Sequence, residues 1–186
     1  MLYATAAENE AAHLVIFPYE LAVVLSQICH LQVATLSPAE TEAETAAMEL
    51  DILLVNEDRA PRPWIIRIWK LAVRALFYQR IRRVGPLHPV LQAIGADLTH
   101  EFGRYKPGES AIEKSLALPL FLTGSLAISR SDRDAVQARW ATLKPERGWQ
   151  EPIALLRRMW AEMDETGDSI RWVSQVVTWI SHALSP

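Results

Sequence analysis

The chain has a single cysteine, Cys29, and no C-x-x-C pair. An internal disulfide is therefore excluded, as is a zinc or iron–sulfur site built from this chain's cysteines. Its seven glycines form no Gly-x-x-x-x-Gly-Lys phosphate loop. The five histidines (His13, His30, His88, His100 and His182) are scattered, with no His-Glu-x-x-His spacing. Long apolar runs are also missing. Leu14–Ala34 is interrupted by Pro18, Glu20, Gln27 and His30, and Leu116–Ile128 is too short to span a bilayer. The opening MLYATAAENEAAH lacks the basic start of a secretory or mitochondrial leader. These absences lead us to expect an intracellular protein in a reducing compartment, with no membrane segment, no metal and no cofactor.

What is present is ordinary for a folded domain. The 186 residues are 50% apolar and 22% charged, enough for one domain with a sizeable core. The first 17 residues are expected to be a flexible lead-in to it. A net charge of −3 gives the whole molecule no electrostatic reason to seek nucleic acid. The distribution of charge is less even. Residues 1–58 hold ten acids and no Lys or Arg, whereas residues 59–83 hold eight basic side chains and no acid. The basic block is either a nucleic-acid footprint through Arg67, Lys70, Arg74, Arg80, Arg82 and Arg83, or a helix lying against the acidic segments upstream. The nearly equal opposing charge directly before it favours the second.

Hydrophobic periodicity is helical nearly everywhere, and proline and glycine punctuate it. The spacing predicts about seven helices in a single compact all-α domain with a buried, proline-containing central helix. A first helix over Tyr19–Val33 buries Leu21, Val24, Leu25, Ile28 and Leu31. A second starts at Ser37 as N-cap with Pro38 in its first turn, and its stripe is read as Ala47, Leu50 and Leu54. A third runs from Pro63 to about Arg83, apolar over most of its circumference, and a fourth covers Val90–Phe102. Ile112–Ile128 is apolar on nearly all sides. Pro119 either kinks it or opens a helix at its first turn, and both versions leave the segment buried. Ser131 and Asp134 resemble a capping box for a helix carrying Val136, Trp140 and Leu143 inward. Trp149, Ile153, Leu156, Trp160 and Met163 line the next, which Gly167 stops. Trp172, Val176, Trp179 or Ile180, and Leu184 line a last helix.

Chemistry is hard to find in these patterns. Ser110 in Gly108-Glu-Ser-Ala resembles half of a nucleophile elbow, but the preceding strand and the following glycine are missing. Ser110 is better placed as a helix N-cap, and no catalytic residue is assigned. Large apolar helices can leave a cavity between them, and Trp69, Phe77, Phe121 and Trp160 are the candidate lining of such a ligand pocket. Ordinary core packing accounts for the same four residues. A standalone carrier or hydrolase-like enzyme with an apolar pocket is the alternative from another functional class.

Several segments together resemble one family. Leu118-Pro-Leu-Phe-Leu-Thr-Gly124, Ser131-Asp-Arg133, Ala154-Leu-Leu-Arg-Arg-Met-Trp160 with Asp164 four beyond, and Trp172 are similar, in order and spacing, to the C-terminal part of the fungal-specific transcription factor regulatory domain. Trp69–Arg80 resembles that family's alanine-rich helix, and Tyr19–Leu31 its earlier leucine-rich helix. The resemblance implies a nuclear regulatory module that acts by protein–protein contact, self-association or binding of an apolar small molecule. Physically the matched residues have packing roles: Pro119 and Gly124 shape a central buried helix, Arg133 sits at a helix start where it can reach an acid elsewhere, and Trp160 fills the space that the kink leaves. Leu118 stands where the family has Trp, and Ser169-Ile-Arg where it has an acid before Trp172. The family's six-cysteine zinc cluster is missing. The chain is thus expected to be a fragment, a shortened gene product or a standalone regulator, without specific DNA binding of its own.

Overall fold

The computed structural model describes residues 19–31, 37–58, 62–105, 115–142 and 150–166. Over these residues the chain is helical, with no strand among them. Helix α1 spans Tyr19–His30, α2 Pro38–Leu54, α3 Pro63–Arg80 and α4 Pro89–Arg104. The last three each start on a proline, where the missing N–H would have had no helical partner and φ is already set. Helices α5 (Ala117–Leu126), α6 (Arg130–Thr142) and α7 (Gln150–Thr166) follow. The all-α class read from the periodicity is the class observed. The lead-in over residues 1–17, the cap at Ser110, the stop at Gly167 and the helix around Trp172–Leu184 lie outside the described residues, as do Leu143 and Trp149.

Two helices organise the packing. α3 lies against α1, α2, α4 and α5, and α5 lies against α3, α4, α6 and α7. Helix α3 can serve as a hub because ten of its residues are buried, among them Ile65, Ile68, Trp69, Ala72, Leu76 and Phe77. Helix α5 is buried from Leu118 through Leu126. Pro119 sits in its first turn, so the proline opens the helix and does not kink it. The turn is closed around it by Leu120 N–H donating to Leu116 O at 2.9 Å and by the Thr123 hydroxyl donating to Pro119 O at 2.8 Å.

The ends of the helices are secured individually. Ser37 and Glu40 form a capping box: Glu40 N–H donates to Ser37 Oγ at 3.3 Å and Ser37 N–H to Glu40 Oε2 at 2.9 Å. The bonds from Ser37 hold the Glu40 carboxyl below its usual range. The C-terminal carbonyls of α1 are capped from α3, where Arg80 donates to Ile28 O at 2.7 Å and Cys29 O at 2.9 Å. Cys29 is half-buried, and burial raises its thiol pKa against the opposing pull of Arg80.

Two expectations need correction. The first is the inward face of α2. Leu50 and Leu54 are 54% and 69% exposed and Ala47 is exposed too, while Thr45, Met48 and Ile52 face the core. The helix is apolar on two opposite sides, and periodicity alone does not say which side meets the protein. The second is the cap of α6, which is Ser129 and not Ser131. Asp132 N–H donates to Ser129 Oγ at 3.0 Å, and that hydroxyl donates to Asp132 Oδ2 at 2.6 Å. Only Ala127–Ser129 separates α5 from α6, so the chain must turn early, and Ser131 is already an exposed residue inside the helix.

Candidate functional site

One linked cluster of side chains lies where α5, α6 and α7 meet. Gly124 lets the helices approach: a Cβ there would stand 2.6 Å from Leu156 Cδ1 and 3.1 Å from Val136 Cγ1. The indole N–H of Trp160 donates to the Gly124 carbonyl at 2.9 Å. Arg133, in the first turn of α6, reaches across to α7 and donates to both carboxylate oxygens of Asp164, at 2.7 and 2.9 Å. It also donates to Ala127 O at 3.2 Å, and its guanidinium lies 5.7 Å from the Trp160 ring centroid. The bonds from Arg133 lower the Asp164 pKa below the usual carboxylate range. Gly124, Arg133, Trp160 and Asp164 therefore form one linked set. Every polar contact in it joins one helix to another or to the link between α5 and α6, and no nucleophile and base are paired within it.

The four candidate pocket residues lie on α3, α5 and α7. Trp69 and Phe77 are on α3, Phe121 on α5 and Trp160 on α7. All four are buried, and Phe77 and Phe121 have no exposed surface. Helix α3 packs on α5 and α5 on α7, so the structure places the four along one continuous core. A cleft of about 350 Å³ opens elsewhere, between α4, α5 and the start of α6. Gln92, Gly95, Thr99, His100, Thr123 and Asp132 are among its lining residues, and none of the four aromatics is. Composition gave no sign of this cleft, which lies beside the close approach of α4 to Leu126 of α5 at Gly95.

The basic block of α3 is largely taken up by partners within the chain. Arg67 bonds Glu57 at 2.9 Å and the buried Glu101 at 3.3 Å, and these bonds raise its pKa. Lys70 donates to Val55 O at 3.2 Å and lies 3.4 Å from Glu57. Arg82 pairs with Glu42 at 2.9 Å and Glu49 at 3.7 Å. The Tyr78 hydroxyl donates to Glu49, which raises the phenol pKa, and Arg74 lies over the Tyr78 ring. Arg80 caps α1, while Arg83 is exposed in a left-handed turn with φ 52°. Acids upstream thus pair with Arg67, Lys70 and Arg82, three of the six basic side chains, in the direction the charge blocks suggested. Sequence reasoning missed the polar core positions Gln79 and Glu101. Gln79 follows the apolar run of α3, whereas Glu101 sits among polar neighbours that give no signal of burial; Gln79 Nε2 donates to Ser125 Oγ at 3.4 Å in the interior.

No group of three or more His, Cys, Asp or Glu among the described residues is placed to hold a metal ion. No helix among them is long and apolar enough to cross a membrane. A family model described as the fungal specific transcription factor domain matches residues 20–183. A match over that much of an all-helical chain defines the class, and the chain belongs to this family. No curated protein and no solved structure matches it.

Proposed function

We propose that this chain is a regulatory module of a transcription factor, working in the nucleus through contacts with other proteins or with itself. In this reading it neither catalyses a reaction nor recognises DNA sequence unaided. One observation carries it: four of the six basic side chains that offered a phosphate footprint, and Arg133, are held by partners inside the protein. Arg67, Lys70, Arg80 and Arg82 each bond a neighbouring segment, and Arg133 is forked onto Asp164. A scaffold arranged this way presents a fixed surface.

The direct test fuses the chain to an unrelated DNA-binding domain and reads a reporter gene. A change in reporter output that Gly124→Leu abolishes, at equal protein level, supports the proposal; no change overturns it. A filter-binding assay with duplex DNA addresses the rival use of the basic block. Tight binding that weakens steeply with salt would transfer the function to nucleic acid. A thermal-shift screen with sterols, fatty acids and small polar metabolites addresses the carrier and enzyme class. Stabilisation by an apolar ligand that is lost on substitution of Phe121 or Trp160 would give the module a sensing role through its aromatic core.

A further inference from the structure

All three leucines of α2 point away from the protein. Leu50, Leu53 and Leu54 are 54%, 47% and 69% exposed, while Thr45, Met48, Ile52 and Val55 make the core contact. At about 100° per residue, the leucines share the outer side with the exposed Ala43, Ala46 and Ala47. Ala43, Ala47, Leu50 and Leu54 are separated by four, three and four residues, the spacing of a seam that receives another helix. Single exposed leucines need no explanation, but a continuous stripe opposite the core face does.

Acids border this stripe on both edges. Glu40, Glu44 and Asp51 follow one side, Glu42 and Glu49 the other, and α2 contains no Lys or Arg. Glu42 and Glu49 already face Arg82, and Glu40 belongs to the capping box. Glu44 and Asp51 are exposed and have no ion-pair partner among the described residues. A second copy docking through the same face would set acid against acid along both edges, in either helix direction. Complementary charge requires Lys or Arg beside the partner's apolar stripe.

We propose that the outer face of α2 docks an amphipathic helix of a partner protein, with basic residues flanking the partner's apolar seam. The proposal rests on the reading that the chain works by protein contact, and it assigns that contact to one helix. Alanines at the seam allow close approach, the leucines supply the apolar area, and Glu44 and Asp51 select the sign of the partner's charge.

The test uses the full chain and two labelled synthetic peptides of about three heptads, both with Leu at a and d. One has Lys at e and g, the other Glu. Fluorescence anisotropy should show saturable binding of the Lys peptide that weakens with salt, and little binding of the Glu peptide. The double variant Leu50→Ser, Leu54→Ser should weaken binding roughly tenfold or more, with an unchanged melting temperature, since both side chains are exposed. Glu44→Gln with Asp51→Asn should flatten the salt dependence. Absence of saturable binding, equal binding by the double variant, or equal affinity for the Glu peptide overturns the proposal. A dimer in sedimentation that the double variant abolishes also overturns it, in favour of a second copy. The reporter fusion keeps the two levels apart: intact reporter output without peptide binding removes this surface and leaves the regulatory role standing.

Discussion

Arg133 and Asp164 form a two-bond fork, Nη1 to Oδ2 at 2.7 Å and Nη2 to Oδ1 at 2.9 Å, which ties the start of α6 to the end of α7. The two ends of this pair are unequal, because the Arg133 side chain is 13% exposed and that of Asp164 63%. Arg133 also supports the Ala127 carbonyl and the Trp160 ring, so removing it takes away more than an ion pair. Arg133→Ala is expected to cost about 1–3 kcal/mol in urea unfolding. Asp164→Asn should cost less, because an exposed carboxylate gains little from pairing. Arg133→Lys should fall between wild type and alanine, since an ammonium cannot make the fork.

The same pair gives a pH signature. Arg133 lowers the folded-state pKa of Asp164 from its ordinary 3.8, so its contribution is complete above that value. It is lost as pH falls through the lower folded-state pKa. The difference in melting temperature between wild type and Asp164→Asn should therefore be constant near neutrality and shrink on acidification below the ordinary value. A difference that grows in acid would contradict the assignment.

Gly124 tests how tightly α5 meets its neighbours. Gly124→Leu should destabilise by about 1–3 kcal/mol or more, because Leu156 and Val136 already occupy the space. Gly124→Ala should be milder, since its one methyl meets the end of the Leu156 side chain and alanine favours the helix. Combining Gly124→Leu with Leu156→Ala should cost less than the sum of the two, measurable as a coupling in a double-mutant cycle.

Trp160 is 6% exposed. Trp160→Ala should cost about 3–5 kcal/mol. Trp160→Phe should keep most of the packing while removing the indole donor to Gly124 O, so its loss should be clearly smaller. Near-native stability of the alanine variant would place the ring outside the core.

The two serines before α6 separate cap from bystander. Ser129→Ala should lose about 0.5–2 kcal/mol, because Asp132 N–H loses its acceptor. Ser131→Ala should stay within about 0.5 kcal/mol of wild type. The reverse order would restore the cap at Ser131.

How much of this was legible follows from particular residues. Helix α3 was plain because Ile65 through Phe77 are apolar around most of the turn and Pro63 marks the start. That part of the basic block would meet upstream acids could be anticipated from charge blocks alone, as Arg67, Lys70 and Arg82 do, but not the detailed pairing, since Arg80 caps carbonyls. Arg133 reaching a distant acid came from likeness to a family, because no local pattern links residues that far apart. Helix α2 misled because Leu50 and Leu54 form as good a stripe as Met48 and Ile52. Ser-x-x-Asp occurs twice in overlapping frames, at Ser129 and Ser131, and the short link from α5 decides between them. Trp69, Phe77, Phe121 and Trp160 have the helical spacing that both a filled core and a cavity wall require.

Burial, more than the neighbouring Arg80, sets the state of the lone sulfur at the end of α1: it raises the Cys29 thiol pKa while Arg80 pulls the other way. Alkylating reagents attack the thiolate, and burial keeps the Cys29 thiol protonated and half-sheltered while α1 is seated. Iodoacetamide should thus modify the native chain more slowly than the urea-unfolded chain. The ratio of the two rates, readable by mass spectrometry without any engineered label, reports the shelter that packing gives this one sulfur.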